Sequence, residues 1–128
     1  MKNIDLFNEF AARVMADLYE AFPKRVPIDF VALSGSAGVD EYGYPGPKCE
    51  ICSETVGWLI SQGYVEATDI DLYTASQARL TEKGYTTLSA VPSALKTKDA
   101  AGAQIVRMLK AGAKVAAIET LKNVFRWC

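Results

Sequence analysis

Leu59-Ile60-Ser61-Gln62-Gly63-Tyr64-Val65 and Arg79-Leu80-Thr81-Glu82-Lys83-Gly84 are the two stretches that decide how this chain is read. In the first, Gly63 falls just past a run of helical periodicity, where a positive φ is cheap only for glycine. Tyr64–Ala67 then reads as a strand. In the second, Leu80 returns a strand to the core, and Thr81 has the hydroxyl needed to cap a helix running to about Val91. Tyr85 and Leu88 point inward from that helix, and Pro92 ends it. Between the two stretches, Asp69–Asp71 belongs to a polar turn. The second strand of the pair covers either Leu72–Thr74 or Gln77–Leu80, and the pattern supports both.

Working upstream, residues 48–62 form a helix with Cys52, Val56, Leu59 and Ile60 on its inward stripe, widened by Ile51 and Trp58. Ser34–Pro47 is a turn-rich loop containing Gly35, Gly38, Gly43, Pro45, Gly46 and Pro47. Asp29 is placed to cap a short helix over Phe30–Leu33, and Val26–Ile28 is a very short strand. Residues 6–22 carry Phe7, Phe10, Ala11, Val14, Leu18 and Phe22 at steps of three and four, which predicts a helix stopped by Pro23. Downstream, residues 99–126 favour helix, with Ile105, Val106, Leu109, Ala113, Ala116, Leu121 and Val124 on one side. Gly102 and Gly112 weaken that helix by about 1 kcal/mol each relative to alanine, and Gly112 marks a place for a hinge.

The order is helix, short strand, helix, helix, two strands and helix. With the L-x-x-x-G-[YL]-[VI] pattern at Leu59–Val65 and the x-L-T-x-x-G pattern at Arg79–Gly84, residues 6–91 resemble a winged-helix domain, including those of the MarR and PadR types. The resemblance implies a mainly α fold with a small β-hairpin wing, a winged-helix core over residues 1–95, and a basic helical extension over 96–128. It also implies that the helix over 48–62 is the one that would enter a DNA groove, with the wing touching phosphates.

The charge distribution argues against that use. The chain has 128 residues and net charge −1. Residues 1–95 hold seven Lys/Arg against thirteen Asp/Glu, net −6, and residues 96–128 hold seven against two, net +5. Cys49–Gln62 contains no Lys or Arg and carries Glu50 and Glu54. The candidate wing carries Glu66, Asp69 and Asp71. Carboxylates facing phosphates are repelled and release no counterions. The Gly35–Pro47 loop is also longer than the turn usual between paired recognition helices. The first functional expectation is therefore a non-enzymatic protein-interaction module, with contacts from Tyr42, Tyr44, Glu50 and Glu54. The alternative is a DNA-binding transcriptional regulator using Lys48, Arg79 and Lys83.

The basic tail has three readings. It pairs two copies of the chain through Ile105, Leu109, Leu121 and Val124, or packs on its own domain, or lies on an anionic membrane. Dimerisation ranks first and membrane association last, because the alanines and glycines leave a thin apolar face. The absence of a signal or an 18-residue apolar run makes the cytoplasm the default compartment.

No cofactor is implied. There is no histidine, which removes His-based catalysis. Cys49-x-x-Cys52 has the spacing of a zinc half-site or a redox pair, but with Cys128 it supplies only three thiols, so burial of Cys52 in the helix stripe is the preferred role. Gly35–Gly38 reads as turn geometry rather than an anion cradle, and Asp69 with Asp71 as a solvated wing tip rather than a cation site.

Overall fold

The computed structural model describes residues 2–35, 42, 46–90 and 99–125. The protein is mainly helical with a small antiparallel sheet. In chain order the elements are α1 (Asn3–Ala21), β1 (Val26–Asp29), α2 (Phe30–Ser34), α3 (Pro47–Ser61), β2 (Val65–Glu66), β3 (Asp69–Ile70), β4 (Thr74–Leu80), α4 (Glu82–Ser89), α5 (Ala101–Lys110) and α6 (Lys114–Phe125).

α1 lies at the centre. Its expected stripe is present, with Phe10, Ala11, Val14 and Leu18 buried, but Ala12, Met15 and Ala16 are buried as well. A single stripe is too narrow because α1 packs against α3, against α5 and α6, and against β4. Small alanines on the added face let those neighbours approach. The local signals behave as their chemistry requires. Asp29 Oδ1 accepts from the backbone N–H of Val31 at 3.0 Å and of Ala32 at 3.2 Å, which caps α2. Gly63 has φ 82° just after α3. Thr81 Oγ1 accepts from the Gly84 N–H at 3.1 Å, which caps α4.

The sheet has β4 in the middle, with β1 on one edge and β2 and β3 on the other. Val65 pairs with Leu80, Glu66 with Arg79, Asp69 with Ser76 and Ile70 with Ala75. These four pairs share one register, so residues 65–80 form one antiparallel hairpin whose outgoing strand is briefly interrupted. Of the two expected placements for the returning strand, Gln77–Leu80 is correct and extends back to Thr74. Leu72 and Tyr73 belong to the turn. Toward β1 the register shifts between Val26 and Ile28, and Gln77 has φ 51°. The result is burial of Ala75, Ala78 and Leu80 rather than strict alternation.

The tail is two helices, broken where Gly112 marked a place for a hinge. Gly112 at φ 79° closes α5, with the N–H of Gly112 on the Leu109 carbonyl at 3.1 Å and the N–H of Ala113 on the Met108 carbonyl at 2.8 Å. Two expectations need correction. The tail's apolar residues do not form a free face for a second copy. Ile105 and Leu121 are fully buried in the core shared with α1, and Leu109 and Val124 pack partly buried against it. Opposite charges line this contact: Lys110 meets Glu20 at 2.6 Å and Lys114 meets Glu9 at 2.9 Å. The exposed Lys110–Glu20 pair orients the docking more than it stabilises it, whereas Lys114 reaches a Glu9 side chain that is only 16% exposed. Tyr85 is likewise not inward. It is 40% exposed and stacks on Phe22 with ring centroids 4.3 Å apart.

Candidate interaction surface

α3 begins at Pro47, a favoured first helical residue because its missing N–H would be unpaired there anyway. The helix turns Cys49, Cys52, Thr55, Val56 and Leu59 into the core. Thr55 was not expected there. Its hydroxyl donates to the Ile51 carbonyl at 2.7 Å, which lets a polar residue occupy a core position. Lys48, Glu50, Glu54 and Ser61 are exposed on the other side.

The two thiols are buried and held in the neutral form. Burial pushes the Cys49 thiol up, and the nearby Asp29 adds to this, against a hydrogen bond from Ser34. Burial pushes Cys52 to about 12, helped by Cys49 and Asp29. Nucleophilic and metal-binding cysteines work as thiolates, which this environment disfavours. Among the described residues no group of three or more His, Cys, Asp or Glu is arranged to hold a metal ion. Cys128 lies outside the described residues.

At the tip of the 65–80 hairpin, Asp71 Oδ1 accepts from the N–H of Tyr73 at 2.7 Å and of Thr74 at 2.8 Å. These bonds hold the Asp71 carboxyl below its usual range. They also build the turn that leaves Ile70, Leu72 and Tyr73 exposed at 40%, 59% and 38%. Leu72 sits close to the start of α3, since its carbonyl lies 3.9 Å from Cys49 Sγ. The hairpin tip and α3 therefore belong to one neighbourhood.

The residues expected to meet DNA are largely engaged within the chain. Arg79 Nε donates to Glu66 Oε1 at 2.9 Å, and Arg25 Nη2 reaches the same oxygen at 3.2 Å. Lys83 Nζ donates to the Gln62 carbonyl at 2.9 Å and lies 4.4 Å from the centre of the Tyr64 ring. Lys48 is exposed at the start of α3. Of the expected protein contacts, Glu50 and Glu54 are exposed on α3, Tyr42 is 78% exposed, and Tyr44 lies outside the described residues.

Sequence reasoning missed a groove between the start of α1 and the outer side of α3. It has a volume of about 690 Å³, and its walls include Ile4, Phe7, Ile51, Glu54, Gly57 and Trp58. Phe7 and Trp58 meet edge to face with centroids 5.2 Å apart. The two walls are about fifty residues apart in sequence, so no local pattern announces them. The only hint was the way Trp58 and Ile51 widen the α3 stripe beyond one face.

No protein-family model matches the chain, and comparison with curated proteins and with solved structures found no match. No helix among the described residues is long and apolar enough to cross a membrane.

Proposed function

We propose that the chain is a non-enzymatic winged-helix module that binds protein through the outer face of α3 and the tip of the 65–80 hairpin. The winged-helix assignment draws support from the element order through α4, from β4 lying between β1 and the outgoing strand, and from Thr81 capping α4 directly after the hairpin.

One observation carries the functional part. The surface that a winged-helix regulator would lay on DNA is here acidic and apolar. Glu50 and Glu54 stand on α3, and Asp69, Ile70 and Leu72 stand at the hairpin. Binding a polyanion depends on cations that release its counterions. Arg79 and Lys83 hold partners inside the chain instead. The positive tail does not reverse this balance. α5 and α6 pack on α1 and α4, whereas α3 packs on α1 and α2. Exposed Leu72 and Tyr73 offer the apolar and aromatic area of an interface core, and the carboxylates nearby suit its polar rim. Pairing of two copies through the last helix forms no part of the proposal, because Ile105 and Leu121 are buried within the chain.

The test is affinity capture from a lysate of the source cell, comparing the tagged full chain with Leu72→Asp and Glu50→Lys variants. The expected result is a small set of polypeptides held by the wild type and reduced about tenfold by either change, which corresponds to about 1.4 kcal/mol. Equal retention by all three chains, or recovery of nucleic acid without protein, overturns the proposal.

A further inference from the structure

We infer that the α1–α3 groove seats an amphipathic helix that presents a lysine or arginine to Glu54. The inference rests on the protein-interaction reading and supplies the partner's chemistry.

Three observations converge on this groove. Its lining is mostly apolar, with Ile4 51% exposed beside Phe7, Ile51 and Trp58. Two packed helices with a furrow between them accept the ridge of a third, the helix-in-groove mode of recognition. Second, Gly57 lies in the interior of α3 on the groove lining. Glycine is disfavoured there relative to alanine, and a Cβ built on Gly57 would meet none of the described residues within 4 Å. Gly84 and Gly102 differ, because a Cβ on either would collide with Tyr64 or Tyr19. Packing among the described residues explains those two glycines and leaves Gly57 without a reason. An occupant whose backbone or apolar ridge comes close to α3 supplies one.

Charge selects the occupant's sign. Glu54 is the charged residue among the described residues lining the groove. Glu50 stands exposed one turn earlier, and residues 1–95 carry net −6. A cationic helix gains a partner at Glu54 and is drawn in by the field around it, while an acidic helix is repelled. A second copy of this chain fits less well, since Ile105, Leu121 and Phe125 of its own basic helices are buried.

The test is selection of a phage-displayed library of helical peptides about 16 residues long, a length at which helices begin to form, against the folded full chain. Selected peptides are then measured by fluorescence anisotropy with wild type, Glu54→Lys and Gly57→Met. The expected winners carry large apolar residues at helical spacing with Lys or Arg alongside. Both variants weaken them at least tenfold, and Glu54→Lys shifts preference toward acidic peptides. Circular dichroism confirms that each variant is folded, and Gly57→Ala is expected to melt at or above the wild-type temperature. No enriched peptides, acidic winners, or binding indifferent to Glu54→Lys would overturn the inference. So would concentration-dependent self-association in sedimentation that Gly57→Met abolishes, because the occupant would then be a second copy. Failure here leaves the lysate result at Leu72 and Glu50 standing, since neither residue lines the groove.

Discussion

Gly84→Ala is expected to destabilise the protein by about 3 kcal/mol or more, at or beyond the upper end for overpacking a close contact. A Cβ at Gly84 would lie 2.2 Å from the Tyr64 carbonyl oxygen and 3.3 Å from Leu80 Cδ2. The first contact is backbone, so no side-chain rotation relieves it. That carbonyl also accepts the Thr81 N–H at 3.1 Å, and Thr81 Oγ1 both caps α4 and donates to the Gly63 carbonyl. Moving α4 away to admit one methyl group would loosen the joint between the end of α3, the hairpin and α4. The measurement is the urea midpoint of the variant, with Gly57→Ala as the opposite control. There the added Cβ meets none of the described residues, and stability should rise by up to about 1 kcal/mol. A Gly84→Ala chain within about 0.5 kcal/mol of wild type, the range of an ordinary surface change, would contradict this packing.

Removal of residues 97–128 is expected to abolish cooperative thermal unfolding. The tail contributes Ile105, Ala117, Leu121 and Phe125 to the core around α1. Full burial of each large apolar side chain is worth about 1.5–3 kcal/mol. Losing three of them costs about 4.5–9 kcal/mol, a large part of the roughly 5–15 kcal/mol that separates folded from unfolded domains. The loss also uncovers the Tyr19 ring, against which Gly102 packs so closely that a Cβ there would lie 2.5 Å from it. The variant should give a broad, non-cooperative melt and should aggregate. A sharp transition within a few degrees of the full chain would mean that the tail is an appendage rather than part of the core. The point variant Leu121→Ala, expected to cost about 2–5 kcal/mol, checks the same contact without truncation.

The parts legible in the sequence were those governed by local chemistry. Asp29, Gly63 and Thr81 each act within a few residues of themselves, through a cap or a positive φ, and each does what its type predicts. Gly112 was readable as a break for the same reason. The returning strand was not, because the irregularity at Gln77 moves the buried positions from a strict two-residue period to Ala75, Ala78 and Leu80. Periodicity also could not say what the tail's apolar side would meet. A stripe that packs on α1 and one that packs on a second chain look alike until Tyr19 is seen over Gly102. Gly84 was visible in its motif but not understood, since its reason is a carbonyl twenty residues away. In the interaction surface, the acidity of α3 was plain from composition. The pairing of Arg79 with Glu66 depended on strand register, and the groove depended on two distant helices, so both needed the fold.

Fluorescence anisotropy of labelled duplex DNA, random and genomic, with the full chain at about 50 mM salt tests the central claim most directly, because low salt favours any counterion-release binding. The acidic face of α3 and the acidic, apolar hairpin tip predict no saturable binding. Salt-sensitive binding that disappears on Arg79→Glu or Lys83→Glu would contradict the account and make the chain a DNA-binding regulator.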